Sequence, residues 1–412
     1  MKIEKYSIGI GDRFGREGVA QLRALQKANG IVPVWNKSYR EHSLIGTTPA
    51  DVRTEADEAV RATGWKGSYY VDADHVGMKT VDGFLTSSDF FTLDVADFIG
   101  ISASDDAVAS FVREMTPFFG ALRIPGVETQ FDVTPTVLQN IGRQYLSAVT
   151  EAGRIYRHIA SAKGDDSFVV EVSTDEAPDP QLPFELFFIL GALAREHVPV
   201  QTIAPKFSGK FLKGIDYVGN VHTFEQEFAA DLLVVEHAKR VFSLPSSLKV
   251  SVHTGSDKFS LYPAMRRALE KNDVGLHVKT AGTTWLEEVI GVALSGGKGL
   301  RVAKHIYASA HARFDELCKP YATVVEIDRA KLPEPRDVDN WTAEQLVRRL
   351  RHDPACPDFS VHVRQLMHVA FKVAAEMGTE FREALAAARE TVARCVTDNL
   401  YERHIRPLFV GG

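Results

Sequence analysis

Eight short apolar runs recur through the first part of this chain, and helix-period segments separate most of them. The first four are Y-S-I-G-I, I-V-P-V-W, G-S-Y-Y-V-D-A-D-H and F-F-T-L-D-V-A-D. The last four span 167–176, 198–207, 248–258 and 275–283. Between them the sequence predicts helices. One fits 17–28, with Val19, Leu22 and Leu25 on one face and a stop at Asn29-Gly30. A second has Thr48 as its N-cap and Pro49 at its first position. Others fit 183–197, 223–242 and 284–294. Strands that alternate with helices specify an α/β protein, and eight of them fit a closed (β/α)8 TIM-like barrel. An open doubly wound sheet matches the same strand count. On the barrel reading, 1–320 is the catalytic domain. It carries a helical insertion at about 98–166 after strand four, with one helix near 104–116 and a long one near 135–161 opened by Thr134-Pro135. A connector, L-P-E-P-R, leads into a C-terminal helical extension, 321–412, with helices near 342–351, 360–377 and 380–400.

Bulk properties narrow the function classes. Of 412 residues, 45% are hydrophobic and 25% charged, as in soluble globular proteins. The net charge of −6 argues against nucleic acid as the main partner. No run approaches the ~20 apolar residues of a membrane helix. The N-terminus, M-K-I-E-K-Y-S-I, lacks the apolar core of a signal peptide. Cys318, Cys356 and Cys395 show neither metal-type spacing nor an even disulfide set. A cytoplasmic protein is expected, and a homo-oligomer is compatible with everything above.

A barrel of this kind carries its chemistry at the C-terminal ends of its strands. Those ends read G-D-R, W-N-K-S, D-A-D-H, L-D-V-A-D, E-V-S-T-D-E, A-P-K-F, H-T-G-S-D-K and H-V-K-T-A-G. Strands three, seven and eight each bring one histidine, namely His75, His253 and His277. Three imidazoles from separate strand ends can converge on one divalent cation and leave a position open for substrate. His237, His305 and His311 lie on helical stretches and read as ordinary surface or packing residues, and His368 is a reserve ligand. Asp74 directly precedes His75. Neighbouring strand residues face opposite sides, but a turn at the strand end aims both inward, where a carboxylate beside a metal can exchange a proton. The competing role for Asp74 is to orient His75. Glu171 lies inside strand five, where an unpaired carboxylate is costly, so it faces the mouth or pairs with a lysine. The mouth also carries Arg13, Lys37, Arg40, Lys206, Lys210, Lys213, Lys258 and Lys279. In an acidic chain that concentration indicates an anionic substrate. Arg13, Lys37, Lys206, Lys258 and Lys279, which follow strands, are the candidates for its carboxylate. Glycines at 209, 214 and 219 suit a loop that closely approaches a ligand.

Taken together, G-D-R-F-G, V-W-N-K-S-Y-R-E-H, V-D-A-D-H, A-P-K-F-S-G-K-F-L-K-G-I-D-Y-V-G-N, S-V-H-T-G-S-D-K-F-S and H-V-K-T-A-G-T-T-W-L-E resemble the tagaturonate epimerase family. The resemblance runs from near the N-terminus to about 290, with R-Q-L-M-H at 364–368 as an echo. It implies a metal-dependent isomerase of hexuronate breakdown that interconverts tagaturonate and fructuronate, ketose uronates differing at C4. It also implies a divalent cofactor (Zn, Mn, Ni or Co) and a logic similar to class II aldolases. On it, Asp74 matches the acid/base position and His75, His253 and His277 match the metal ligands. Lys206 departs from the pattern, since arginine is common there in the family. The C4 inversion can run by retro-aldol cleavage and re-addition. It can also run by direct proton transfer, which needs a second acid/base such as Glu171 or Asp216. A fragment-releasing aldolase and a non-catalytic sugar-acid binder are the rival classes.

Overall fold

The computed structural model describes residues 1–280 and 282–411. Eight parallel strands close into a barrel: β1 Tyr6–Ile10, β2 Ile31–Ser38, β3 Tyr70–Val76, β4 Phe90–Asp94, β5 Val169–Ser173, β6 Thr202–Ala204, β7 Lys249–His253 and β8 Leu276–Lys279. Each strand pairs with its sequence neighbours, and β8 returns to β1 through the register Ser7–His277. The expected (β/α)8 barrel is therefore present, and the open sheet is excluded.

Strand alternation explains why these runs are only half apolar. Outward residues such as Phe91, Leu93, Val170, Val172, Val250, Val252 and Val278 form the main core with the surrounding helices. Each such buried side chain contributes roughly 1.5–3 kcal/mol relative to exposure. Inward, the barrel base is filled by Val32, Val34, Tyr70, Phe90 and Val169. Above that plug the interior turns polar: Asp72, Thr92, Glu171, Ser251 and His277 are all buried. Parallel barrel strands are usually apolar on both faces, so a polar inner face marks the part of the barrel given to function. Gly9 belongs to it, since a Cβ there would lie 2.3 Å from Asn36 Oδ1.

The insertion after β4 contains helices Asp105–Glu114 and Pro135–Lys163, the second capped by Thr134 Oγ1, which accepts from the Val137 N–H at 3.2 Å. Between them lies a small antiparallel hairpin, Gly120–Leu122 with Phe131–Val133, that the apolar pattern does not announce. Its strands are too short for a period-2 signal. Beyond the barrel, the segment expected as one helix over 360–377 breaks into Val361–Val369 and Phe371–Glu376. The last helical stretch ends in a π-helical segment, Asn399–Val410, that contains Pro407. Helices Val361–Val369 and Phe371–Glu376 share one core with Gly282–Leu294 and Gly297–Ala312, whereas Leu400 and Ile405 of the π-helical segment pack with Leu22, Trp35 and Val71. Helix Arg389–Asp398 crosses Gly282–Leu294 so closely that a Cβ on Gly291 would sit 2.6 Å from Val392 Cα. No helix among the described residues is long and apolar enough to cross a membrane.

Candidate active site

The end of β3 solves the problem posed by its sequence. Asp72 and Asp74 share the inward face, so His75 should point outward. Instead the register between β3 and β4 shifts between Ala73 and Val76, and His75 adopts φ +51°. A non-glycine residue in that region is uncommon and stores backbone strain. The kink brings the imidazole inward, 5.4 Å from the ring of His253.

His75, Asp175 and His253 each offer a ligand atom, all within 4.8 Å of one another. Asp175 lies just past β5 and is braced by Ser173 Oγ. His253 Nδ1 faces Asp175 Oδ2 at 3.2 Å and is buried without a properly directed hydrogen bond, while Nε2 lies 2.8 Å from Glu171 Oε1. A ring nitrogen fixed by a buried carboxylate, with the other aimed at a second ligand, is the arrangement of a metal-binding histidine. Among the described residues the chain can hold a divalent cation there.

His277 does not join this group. On β8 it is Lys279, not His277, that stands level with His253. His277 sits deeper in the barrel, fully buried, with Nδ1 2.8 Å from Ser7 Oγ and Nε2 unpartnered. Burial lowers its pKa to about 3, so the imidazole is neutral. The third group of the cluster is Asp175. Its sequence signal, an acid two residues past the β5 apolar run, is no stronger than at the other strand ends.

Lys279 is the centre of the charge arrangement. Its ammonium lies 2.8 Å from Asp72, 2.8 Å from Asp74 and 3.0 Å from Glu171. Burial opposes its charge, but the three carboxylates outweigh burial and raise its pKa. Burial likewise pushes the Asp74 carboxyl up, and Lys279 with His75 more than offsets it, leaving Asp74 ionised. Asp72, deeper, keeps a pKa raised to about 6 by burial against the pull of Lys279.

Several expected substrate contacts prove to be internal supports. Lys258 is fully buried and donates to the carbonyls of Leu212 and Ile215 at 2.9 and 2.8 Å. Lys37 donates to the Arg13 carbonyl at 3.1 Å, and Arg13 pairs with Glu41 at 2.9 Å. Lys279 is neutralised as described. Asp216 turns away from the mouth and accepts from the Ser260 N–H and Oγ–H, so it is not positioned as an acid or base. Lys206 and Arg13 line the cavity as expected. His368 stays behind it, its pKa lowered first by burial and then by Arg13 and Lys213.

The cavity itself, about 660 Å³, opens over Asp74, His75, Asp175 and His253 and is walled by the 205–213 loop and by Pro320, Tyr321 and Val324. That loop is held from behind. Lys213 N donates to Val324 O at 2.8 Å, and Gln365 Nε2 donates to Lys213 O at 3.3 Å. Gly214 N donates to Ser256 Oγ at 2.9 Å, and Arg364 Nε donates to Gly214 O at 2.5 Å. Arg364 is itself fully buried and paired with Asp257 at 2.5 Å, where His352 also binds at 3.0 Å.

A closed (β/α)8 barrel that converges carboxylates, imidazoles and an ammonium at its strand ends defines an enzyme of the barrel class. The chain belongs to the tagaturonate epimerase family, whose family model matches residues 1–405, and is an isomerase of the epimerase type. It is 30% identical over 381 residues to the tagaturonate/fructuronate epimerase of Thermotoga maritima, across 89% of this chain and 72% of that one. The glycerol-complexed structure of the fructuronate-tagaturonate epimerase of Cohnella laeviribosi superposes with a TM-score of 0.81 at 23% identity, covering 99% of this chain and 82% of that chain. The native form of the same enzyme gives 0.79, with the same identity and coverage.

Proposed function

We propose that this protein interconverts D-tagaturonate and D-fructuronate by inverting C4, with a divalent metal held by His75, Asp175 and His253. The observation that carries the reading is the convergence of those three ligands beside Asp74, on the cavity floor of a chain in this family. The donor set suits such an ion: two imidazoles and a carboxylate, with one buried ring nitrogen lacking a hydrogen-bond partner. When bound, the metal supplies Lewis-acid stabilisation of negative charge that develops on substrate oxygens.

The chain's own groups account for the rest. C4–H is not adjacent to the C2 ketone and is not acidified by it, whereas the C4 hydroxyl proton is within ordinary carboxylate chemistry. Asp74, ionised and half-buried at the cavity floor, takes that proton. The C3–C4 bond then breaks, leaving an enediolate on C1–C3 and an aldehyde on C4–C6. Rotation of the aldehyde presents its other face, the C3–C4 bond re-forms, and Asp74 returns the proton to the C4 oxygen. Lys279 orients Asp74 and favours its ionised form at the start of each cycle, and Asp72 and Glu171 hold Lys279 in place. The walls of the cavity keep the fragments together, which separates an epimerase from an aldolase.

The test is incubation of the purified protein with each uronate, with and without a chelator. Interconversion in both directions, lost with chelator and restored by a divalent cation, is expected. Release of free three-carbon products would assign an aldolase, and no turnover with either uronate would remove the reading.

A further inference from the structure

The anionic end of a ketose uronate needs a cation, and most cations near the mouth are already engaged. Lys279 and Arg13 are held by carboxylates, Lys210 pairs with Glu326, and Lys258 is used by backbone carbonyls. Lys213 enters no ion pair among the described residues, and it lines the cavity. It rests over the backbone just past His253, where a Cβ on Gly255 would be 3.2 Å from Lys213 Nζ. The charged groups that act on it are Arg13, Glu41, Arg40 and Asp175, so both the outer basic wall and the ligand cluster are within electrostatic reach. The backbone of its turn is clamped by buried groups: Lys258 donates to the Leu212 and Ile215 carbonyls, Ser256 accepts from the Gly214 N–H, Arg364 donates to the Gly214 carbonyl and Gln365 to that of Lys213. Four buried polar side chains devoted to one turn are explained if the turn must present one group at a fixed point.

We infer that Lys213 binds the substrate carboxylate and sets the preference for a ketose uronate over a neutral ketose. The inference rests on the epimerase reading of this cavity. With the carboxylate on Lys213 and the C2–C4 oxygens toward Asp74 and the ligand cluster, the C4–C6 fragment is anchored at one end while it rotates. Among the described residues, Arg40 and Lys206 also line the wall without an ion pair, but Arg40 is exposed over Tyr321 and Lys206 is held by one residue, Gln181, where the turn at Lys213 is held by four side chains.

The experiment compares wild type, Lys213→Met, Lys213→Arg and Lys206→Met. Removing one partner of a desolvated charge pair corresponds to a KM increase on the order of 30-fold or more. For D-fructuronate we expect that increase in Lys213→Met, partial recovery in Lys213→Arg, and a smaller effect in Lys206→Met. Binding of D-gluconate and of the neutral D-glucitol, measured by titration calorimetry, separates this inference from the assigned reaction. Wild type should favour gluconate, and Lys213→Met should lose that preference while binding glucitol as before. An unchanged fructuronate KM, or equal losses for gluconate and glucitol, would overturn the assignment. If wild type turned over neither uronate, the reaction assigned above would fail, while the gluconate-to-glucitol ratio would still judge Lys213.

Discussion

Glu171 and His253 face each other across the barrel interior, with Nε2 of the imidazole 2.8 Å from a carboxylate that is wholly removed from solvent. With that nitrogen as donor, Nδ1 is left to turn toward Asp175 and His75. The relation orders the site: Glu171 fixes the ring, and the ring fixes the candidate metal position. For Glu171, expected from sequence as an acid or base, we propose the orienting role. Metal content after dialysis should drop sharply in His253→Ala. Glu171→Gln should weaken affinity by roughly 10–100-fold, the usual cost of losing such a supporting carboxylate. Full occupancy in both variants would show that the ion, if bound, sits elsewhere.

Asp74 and Asp72 share a strand face but not an environment. Asp74→Asn keeps the size of the side chain and removes the base, so kcat should fall by ~10²–10⁴ with metal content retained. Asp72 is buried and bonded to Asn36, Thr92 and Lys279. Asp72→Asn should lower thermal stability and leave a measurable kcat. Near-normal turnover by Asp74→Asn would reassign it to orienting His75. Asp216, which accepts from Ser260 and the Tyr217 N–H away from the mouth, should tolerate Asp216→Asn with little change in kcat.

Lys279 neutralises three acids in one buried space. Lys279→Met should cost about 3–5 kcal/mol, the scale for stranding a buried charge by removing its partner. Denaturant unfolding measures it directly. A loss below 1 kcal/mol would mean that the carboxylates find protons or other partners without penalty.

Buried neutral histidines make the fold acid-sensitive. His277 titrates at about 3 in the native state, against an ordinary value near 6.5 once unfolded. As pH falls from about 6.5 toward 3, the unfolded chain takes up a proton that the native chain refuses, so stability drops. The slope for one such group is about 1.4 kcal/mol per pH unit. His42, lowered to about 4 chiefly by burial, acts in the same direction. Melting temperatures across pH 4–7 should therefore depend less on pH in His277→Gln than in wild type. Parallel curves would place the His277 proton affinity close to the ordinary value.

The sequence by itself determined the barrel and the end of it that carries chemistry. Apolar residues at every second position, helix periods between the runs, and polar residues where each run stops are local properties, written in consecutive residues. They were enough to put His75, His253 and Asp74 at the cavity. They could not rank cations, because whether a lysine meets substrate or a carbonyl depends on residues far away in the chain. Lys258 closes on Leu212, and Lys279 on Asp72 and Glu171. Nor could they set depth along the barrel axis. His277 and His253 look equivalent at two strand ends, yet the stagger of β7 against β8 puts Lys279 level with His253 and buries His277 below. The kink that turns His75 inward, the choice of Asp175 as its companion and the clamp on Lys213 were likewise decided by tertiary structure, because each arises from packing between segments that only the closed barrel brings together.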